Sequence, residues 1–148
     1  DSTSLFPPQR AMTVADYHPF ISVEKMLRAI FEGVGFMLRE NLELIESMGI
    51  QVKEIRSFGG GSNSVLWQQI KSDISWRKIS TMRQTECASL GAAILAAVAI
   101  GIYPDLDTAA KVNTVARSCI PDPGNADLYD GLYRRYLRVL EATKALYD

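Results

Sequence analysis

One long stretch of the chain repeats apolar residues every three or four positions. It opens at Ser22, whose hydroxyl suits an N-cap, and closes at Gly49, which suits a C-cap. The apolar positions are Met26, Leu27, Ile30, Phe31, Val34, Leu38, Leu42 and Ile45. This spacing predicts a single long helix that turns one face toward the core.

Elsewhere the pattern alternates between short extended runs and further helices. Period-two alternation and short β-type runs predict strands near residues 52–58, 78–82 and 115–120. Helical spacing and capping residues predict helices that begin near Leu66, Thr85, Leu106 and Ala126. Strands that alternate with longer helices predict an α/β layer fold, here helix-rich with a few short strands. Such a small share of strand indicates part of a larger protein.

The helix predicted from the N-cap Thr85 to about Ile100 differs from the others in composition. It carries no charge after Glu86 and consists largely of Ala, Gly and Ser with a few larger apolar residues. Because these small side chains transfer weakly into lipid, no membrane segment is predicted. We expect instead a soluble helix that is buried and closely packed against another backbone.

Composition narrows the class of protein further. With 148 residues and 47% hydrophobic content, the chain suits one globular domain of about 100–200 residues. Its 16 basic and 17 acidic residues leave no basic field for nucleic-acid binding. Cys87 and Cys119 lack partners at metal-ligand spacing, which predicts free thiols in a cytoplasmic protein and no metal site. Residues 1–20, which contain three prolines, are expected to be irregular.

The chain's strongest candidate for a binding site is the loop from Ser57 to Ser64, which contains Gly59, Gly60 and Gly61. It follows a predicted strand and opens a predicted helix, so three residues without Cβ atoms lie beside unpaired N–H groups. This geometry suits a flat or anionic ligand such as a nucleotide. The glycines match neither the dinucleotide fingerprint nor a Walker A loop. A purely structural turn remains the alternative.

Several blocks of sequence, in order, resemble the C-terminal part of the FGGY carbohydrate kinases, most closely xylulokinase-like members. They are residues 27–36, the loop 59–64 with residues 66–70, the pair Ser72-Asp73, and residues 86–96. The resemblance implies an actin-like ATPase built from ribonuclease-H-like domains. Residues 1–148 would then form the C-terminal portion of the second, ATP-binding domain.

The resemblance also implies a reaction, the transfer of the γ-phosphoryl group of Mg-ATP to a sugar hydroxyl, with D-xylulose as the expected acceptor. Ribulose, glycerol and gluconate remain alternative acceptors, and a non-catalytic actin-like module remains an alternative function. The catalytic aspartate belongs to the N-terminal domain of such proteins, so no catalytic residue is predicted in this chain and the fragment alone is expected to be inactive. That N-terminal domain is the expected partner, and a homodimer is possible.

Carried onto this sequence, the resemblance implies that Gly59, Gly60 and Gly61 lie against the adenosine. Asn63 or Ser64 would then bond the adenine edge, and simple helix capping is the alternative for Ser62, Asn63 and Ser64. Trp67 shares the apolar face of the following helix, which favours core packing over stacking on adenine. The run Ser75-Trp76-Arg77-Lys78 departs from the Gly-Lys-Pro turn of many relatives.

Overall fold

The structure is a computed structural model that describes residues 22–144, so the irregular segment predicted for residues 1–20, with His18, lies outside it. The chain divides into two units, the first ending at Ile30 and the second beginning at Phe31. Of the first unit, the structure shows Ser22 and the opening turns of the first helix. There the Ser22 hydroxyl accepts a hydrogen bond from the Lys25 N–H (3.4 Å), as the predicted N-cap requires. The packing described below belongs to the second unit.

The order of elements confirms the alternation predicted from the sequence. In order along residues 22–144, they are α1 (Val23–Ser47), β1 (Glu54–Ser57), α2 (Val65–Ser75), β2 (Lys78–Met82), α3 (Cys87–Ala99), α4 (Leu106–Ala110), β3 (Val115–Cys119) and α5 (Ala126–Thr143). Helix α3 begins one residue later than predicted, because Glu86 rather than Thr85 occupies its N-cap, without a side-chain hydrogen bond.

The strands form one sheet in the order β1-β2-β3. Strands β1 and β2 run parallel, and β3 pairs antiparallel with β2. Parallel strands need a crossover connection, which α2 provides. Because β2 lies at the centre, four of its five residues are buried. The buried Ser80 hydroxyl donates to the Glu54 carboxylate and lies 2.9 Å from the Ser118 hydroxyl.

The main hydrophobic cluster joins α1, α2 and α5. Its buried members are Phe36, Ile70, Ile74, Tyr129 and Tyr133. The tyrosines bury their rings and hydrogen-bond at the periphery, where the Tyr133 hydroxyl donates to Glu43 (2.8 Å). Gly35 lets α1 approach α2 closely, since a Cβ there would lie 2.6 Å from Ile74 Cδ1. The tyrosine-bearing tail helix therefore packs internally.

The prediction that α3 is buried is wrong. None of its residues is buried, and Leu95 is 59% exposed. Among the described residues, its main packing partner is the short helix α4. Its apolar composition predicted a covered helix, but no second layer lies over it between residues 22 and 144.

Candidate functional site

The glycine loop lies at the carboxyl end of β1, beside the loop that follows β2. In open α/β sheets, ligands bind outside the carboxyl ends of the parallel strands. The two loops are joined directly, because the Gly59 N–H donates to the Thr85 carbonyl (3.0 Å). The second loop is held in turn by Asn113, whose side chain bonds both the Gln84 N–H (3.0 Å) and the Gln84 carbonyl (3.1 Å). Hydrogen bonds therefore fix the position of the candidate site at this edge of the sheet.

Gly59 redirects the chain between the strand and the helix. Its φ of 76° lies in the left-handed region, which other residues rarely adopt. Its carbonyl then accepts from both the N–H (3.0 Å) and the hydroxyl (2.7 Å) of Ser62. The chain accordingly forms a short 3₁₀ turn over Gly60–Asn63 before α2 begins. The fold itself explains a glycine at position 59.

Gly61 is a glycine for a different reason. A Cβ at this position would lie 2.5 Å from Trp67 Cζ3, a distance that no packed carbon tolerates. Trp67 in turn stacks on Phe31, with ring centroids 5.1 Å apart. Close packing against Trp67 therefore requires glycine here, and the predicted core role of Trp67 agrees with this packing.

Neither a positive φ nor close packing requires glycine at position 60. Its φ lies outside the left-handed region, and a Cβ would meet no atom of the described structure within 4 Å. The residue is exposed at the outer surface of the loop. A side chain would fit the fold and would project into the space in front of the loop.

The three polar residues after the glycines divide into two kinds. Ser62 is 1% exposed, and its carbonyl accepts from the Arg117 guanidinium (3.3 Å), so it belongs to the interior. Ser64 caps α2, since its hydroxyl accepts from the Trp67 N–H (3.3 Å). A hydroxyl that accepts one bond can still donate its own proton. Asn63 is exposed and is thus accessible from outside.

Helix α2 supports the loop from behind. The Gln68 side chain is fully buried and donates to the Gly61 carbonyl (2.9 Å). Lys71 places its ammonium 4.3 Å from the Trp67 ring centroid, a cation–π contact, and partial burial lowers the pKa of Lys71. The Gln68 hydrogen bond holds the loop against the helix that follows it.

Asp73 is a residue whose role the sequence did not indicate. Its place in the last turn of α2 would suit a solvated side chain, yet the side chain is 5% exposed. Its carboxylate accepts from the Gln69 side chain (2.7 Å), the Asp122 N–H (2.9 Å) and the Asn125 side chain (2.9 Å). It therefore anchors the turn that leads into α5. The two bonds to Asp122 and Asn125 span about fifty positions of sequence, so local spacing could not reveal them.

One family model covers more than half of the chain. Residues 6–100 match the model of the FGGY family of carbohydrate kinases, C-terminal domain. The chain belongs to this family, as the loop and its flanking blocks predicted.

Related proteins of several acceptor types match the chain. It is 32% identical over 123 residues to a xylulose kinase of Staphylococcus epidermidis. This alignment covers 80% of the chain and 24% of that protein. The chain is 29% identical over 123 residues to a glycerol kinase of Lactobacillus acidophilus (80% and 24%), and 31% identical over 125 residues to an autoinducer-2 kinase of Salmonella choleraesuis (83% and 24%). The chain spans about a quarter of the length of these relatives.

Solved structures show the same fold. A xylulose kinase from Rhodospirillum rubrum superimposes with a TM-score of 0.76 at 22% identity, over 88% of this chain and 27% of that one. Plasmodium falciparum glycerol kinase with ADP gives a TM-score of 0.68 at 27% identity, over 81% and 24%. The actin-like fold expected from the resemblance is thereby confirmed.

Among residues 22–144, no helix combines the length and apolar content needed to cross a membrane. Within the same range, no three His, Cys, Asp or Glu side chains are grouped as they would be around a metal ion. Both cysteines are free thiols, with Cys119 buried.

Proposed function

We propose that this chain supplies the adenosine side of the ATP site of a sugar kinase, with Gly59, Gly60, Gly61, Asn63 and Ser64 forming the contact surface. The observation that carries the proposal is Gly60. The fold accounts for its two neighbours, whereas Gly60 is exposed, unstrained and without a contact that would exclude a side chain. An approaching ligand explains why this position lacks a Cβ. The ADP named with the related glycerol kinase structure supports a nucleotide as that ligand.

The chemistry of the loop suits adenosine. A surface without side chains lets a flat base or a ribose reach the backbone. Asn63 offers an amide donor and acceptor, and Ser64 can donate its proton while it caps α2. In phosphoryl transfer the protein mainly positions the reactants and stabilises charge, so binding the nucleotide in one orientation is a direct contribution to rate.

Mg²⁺ enters the proposal together with the nucleotide. In kinase sites this ion is bound by substrate phosphates and one or two carboxylates, not by a cage of protein ligands. We assign it no ligand among residues 22–144. The sugar site and the catalytic base are assigned to the rest of the parent protein, so the 148-residue chain alone should not phosphorylate sugars.

Gly60→Val in the full-length protein tests the nucleotide site. A valine here should weaken ATP binding by about tenfold, equivalent to ~1.4 kcal/mol, because its methyl groups occupy the space in front of the loop. The unfolding temperature should not fall, since a Cβ at Gly60 meets nothing within 4 Å. Titration of Mg-ATP by calorimetry measures the first quantity and thermal unfolding the second.

Gly131→Val is the matched control, because Gly131 in α5 also has no atom within 4 Å of a Cβ. It should leave ATP affinity unchanged. Wild-type affinity in Gly60→Val would contradict the proposed site and favour the alternative, a non-catalytic module with a structural glycine turn.

D-xylulose is the acceptor we propose, because a relative named xylulose kinase reaches 32% identity over 80% of the chain. ADP release by the full-length protein with D-xylulose, L-ribulose, glycerol and gluconate tests this. Turnover with D-xylulose at the highest kcat/KM would support the proposal. A higher kcat/KM with another of these compounds would keep the kinase and replace the acceptor, whereas bound ATP without turnover on any of them would leave the non-catalytic module.

A further inference from the structure

One side chain reaches the glycine loop from the third strand of the sheet. Arg117 lies in β3 and pairs with Thr81 of β2, which in turn pairs with Ser57, the last residue of β1. This register places Arg117 level with the carboxyl end of β1. Its guanidinium Nη2 donates to the Ser62 carbonyl (3.3 Å), across 55 positions of sequence. Arg117 therefore joins β3 directly to the loop that we propose contacts adenosine.

The stability of the fold does not account for an arginine at this position. The residue is half-buried, and its Nε is buried without a hydrogen-bond acceptor among the described residues. No ion pair between residues 22 and 144 includes Arg117. A buried donor without a partner and a half-buried charge without a carboxylate both cost free energy. An unbranched apolar side chain would avoid these costs, so the bond to Ser62 is the contact for which an arginine is needed.

This bond fixes the start of the polar part of the loop. A peptide group is planar and trans, so holding the Ser62 carbonyl also holds the plane of the peptide bond to Asn63. Asn63 and Ser64, which we propose bond the adenine edge, follow immediately. The preceding carbonyl, that of Gly61, accepts from the Gln68 side chain (2.9 Å). Two consecutive carbonyls of the loop are therefore held by side chains, one from α2 and one from β3.

We propose that Arg117 is a positioning residue of the nucleotide site. It holds the Ser62 carbonyl so that Asn63 and Ser64 meet adenosine in one orientation, and it acts through the loop rather than by contact with the nucleotide. The proposal rests on the function proposed above, because it takes the loop as the adenosine surface. A loop that loses this bond spends less time in the binding conformation, and the apparent affinity falls by that fraction.

Arg117→Met in the full-length protein tests the proposal, because methionine keeps an unbranched side chain and cannot donate a hydrogen bond. Mg-ATP binding, titrated by calorimetry well below the unfolding temperature, should weaken about fivefold, as expected for the loss of one hydrogen bond. Hydrogen exchange of residues 58–66, followed by mass spectrometry without nucleotide, should accelerate. The N–H groups of Gly59 and Ser62 are hydrogen-bonded only while the loop is held in place.

Arg77→Met is the matched control. Arg77 is also half-buried, and its Nε is likewise buried without an acceptor among the described residues. It bonds Glu46 and lies just before β2, at the opposite end of the parallel strands from the loop. Its loss should lower the unfolding temperature but leave ATP affinity and the exchange of residues 58–66 unchanged.

Arg117→Lys provides a second variant of the same position. Lysine keeps the charge, but its ammonium ends one atom short of the guanidinium Nη2 and lacks the fork of donors. This variant should bind Mg-ATP more weakly than the wild type and more tightly than Arg117→Met. Should Arg117→Met fail to fold, wild-type affinity in Arg117→Lys would rule out the positioning role.

Gly60→Val, measured in the same series, separates failure of this proposal from failure of the proposed site. Weakened binding in Gly60→Val with wild-type affinity in Arg117→Met would overturn the positioning role and leave the site intact. Wild-type affinity in Gly60→Val would remove the site and the positioning role together. Equal weakening in Arg117→Met and Arg77→Met would show a general loss of stability and would also contradict the role of Arg117.

Discussion

Helices α5 and α3 reverse the relation that composition predicts between hydrophobicity and burial. Helix α5 carries arginines at positions 134, 135 and 138, yet it buries Tyr129 and Tyr133. Helix α3 carries no charge at all, yet none of its residues is buried. An amphipathic helix with a partner buries its apolar stripe, whereas an apolar helix whose main partner among the described residues is the five-residue α4 stays open. Burial is therefore decided by the element opposite a face.

The largest expected difference in stability is between two isoleucine substitutions, one in the packed cluster and one at the end of α3. Ile74 in α2 is fully buried, whereas Ile100 at the end of α3 is 74% exposed. Ile74→Ala should lower the free energy of unfolding by about 2–5 kcal/mol, because it leaves a cavity in the packed cluster. Ile100→Ala should change it by less than about 0.5 kcal/mol. Urea unfolding of both variants measures the difference, and equal losses would show that α3 is covered as firmly as the core.

Replacing a glycine by alanine should change stability in opposite directions in the packed helix α1 and in the uncovered helix α3. Gly35→Ala in α1 should destabilise the fold by about 1 kcal/mol net, because its Cβ would lie 2.6 Å from Ile74 Cδ1 in a full core. Gly91→Ala in α3 should stabilise it by about 0.5–1 kcal/mol, since a Cβ there meets nothing within 4 Å and alanine favours helix. Thermal unfolding reports both shifts. A destabilised Gly91→Ala would mean that a backbone lies close to α3.

The smallest expected effect is on the pH dependence of stability, and it arises where Tyr133 of α5 contacts Glu43 of α1. Burial and then the hydrogen bond to Glu43 raise the pKa of Tyr133 above its usual value near 10. The folded state therefore keeps the phenol proton where the unfolded state loses it. This contribution is complete below pH 10 and declines as the pH rises above it. Tyr133→Phe should cost about 1 kcal/mol at neutral pH, the lost hydrogen bond, and should reduce the alkaline decline.

Unfolding followed by circular dichroism between pH 8 and about 11.5 checks this prediction. Part of the decline should remain in Tyr133→Phe, because burial and Glu40 raise the pKa of Tyr136 in the same direction. An unchanged alkaline slope in Tyr133→Phe would show that this phenol ionises equally in both states.

The loop shows how far residue types alone could be interpreted. Three consecutive glycines predicted a turn open to a ligand, and the turn lies at the predicted junction of strand and helix. The separate reasons for the three were not predictable. Gly61 depends on the position of the Trp67 ring six residues later, and Gly59 on its backbone angle. Of the three loop glycines, Gly60 is the one whose lack of a side chain the fold does not require.

The sequence by itself determined the order of helices and strands, the place of the glycine loop and the family, because periodicity, capping and motif blocks are local properties. Only the tertiary structure decided that Asp73 anchors the turn before α5 and that α3 is uncovered between residues 22 and 144. Each of these depends on what lies opposite a side chain, often dozens of residues away. Such contacts are set by the packing of whole elements, which the spacing of residues along the chain does not encode.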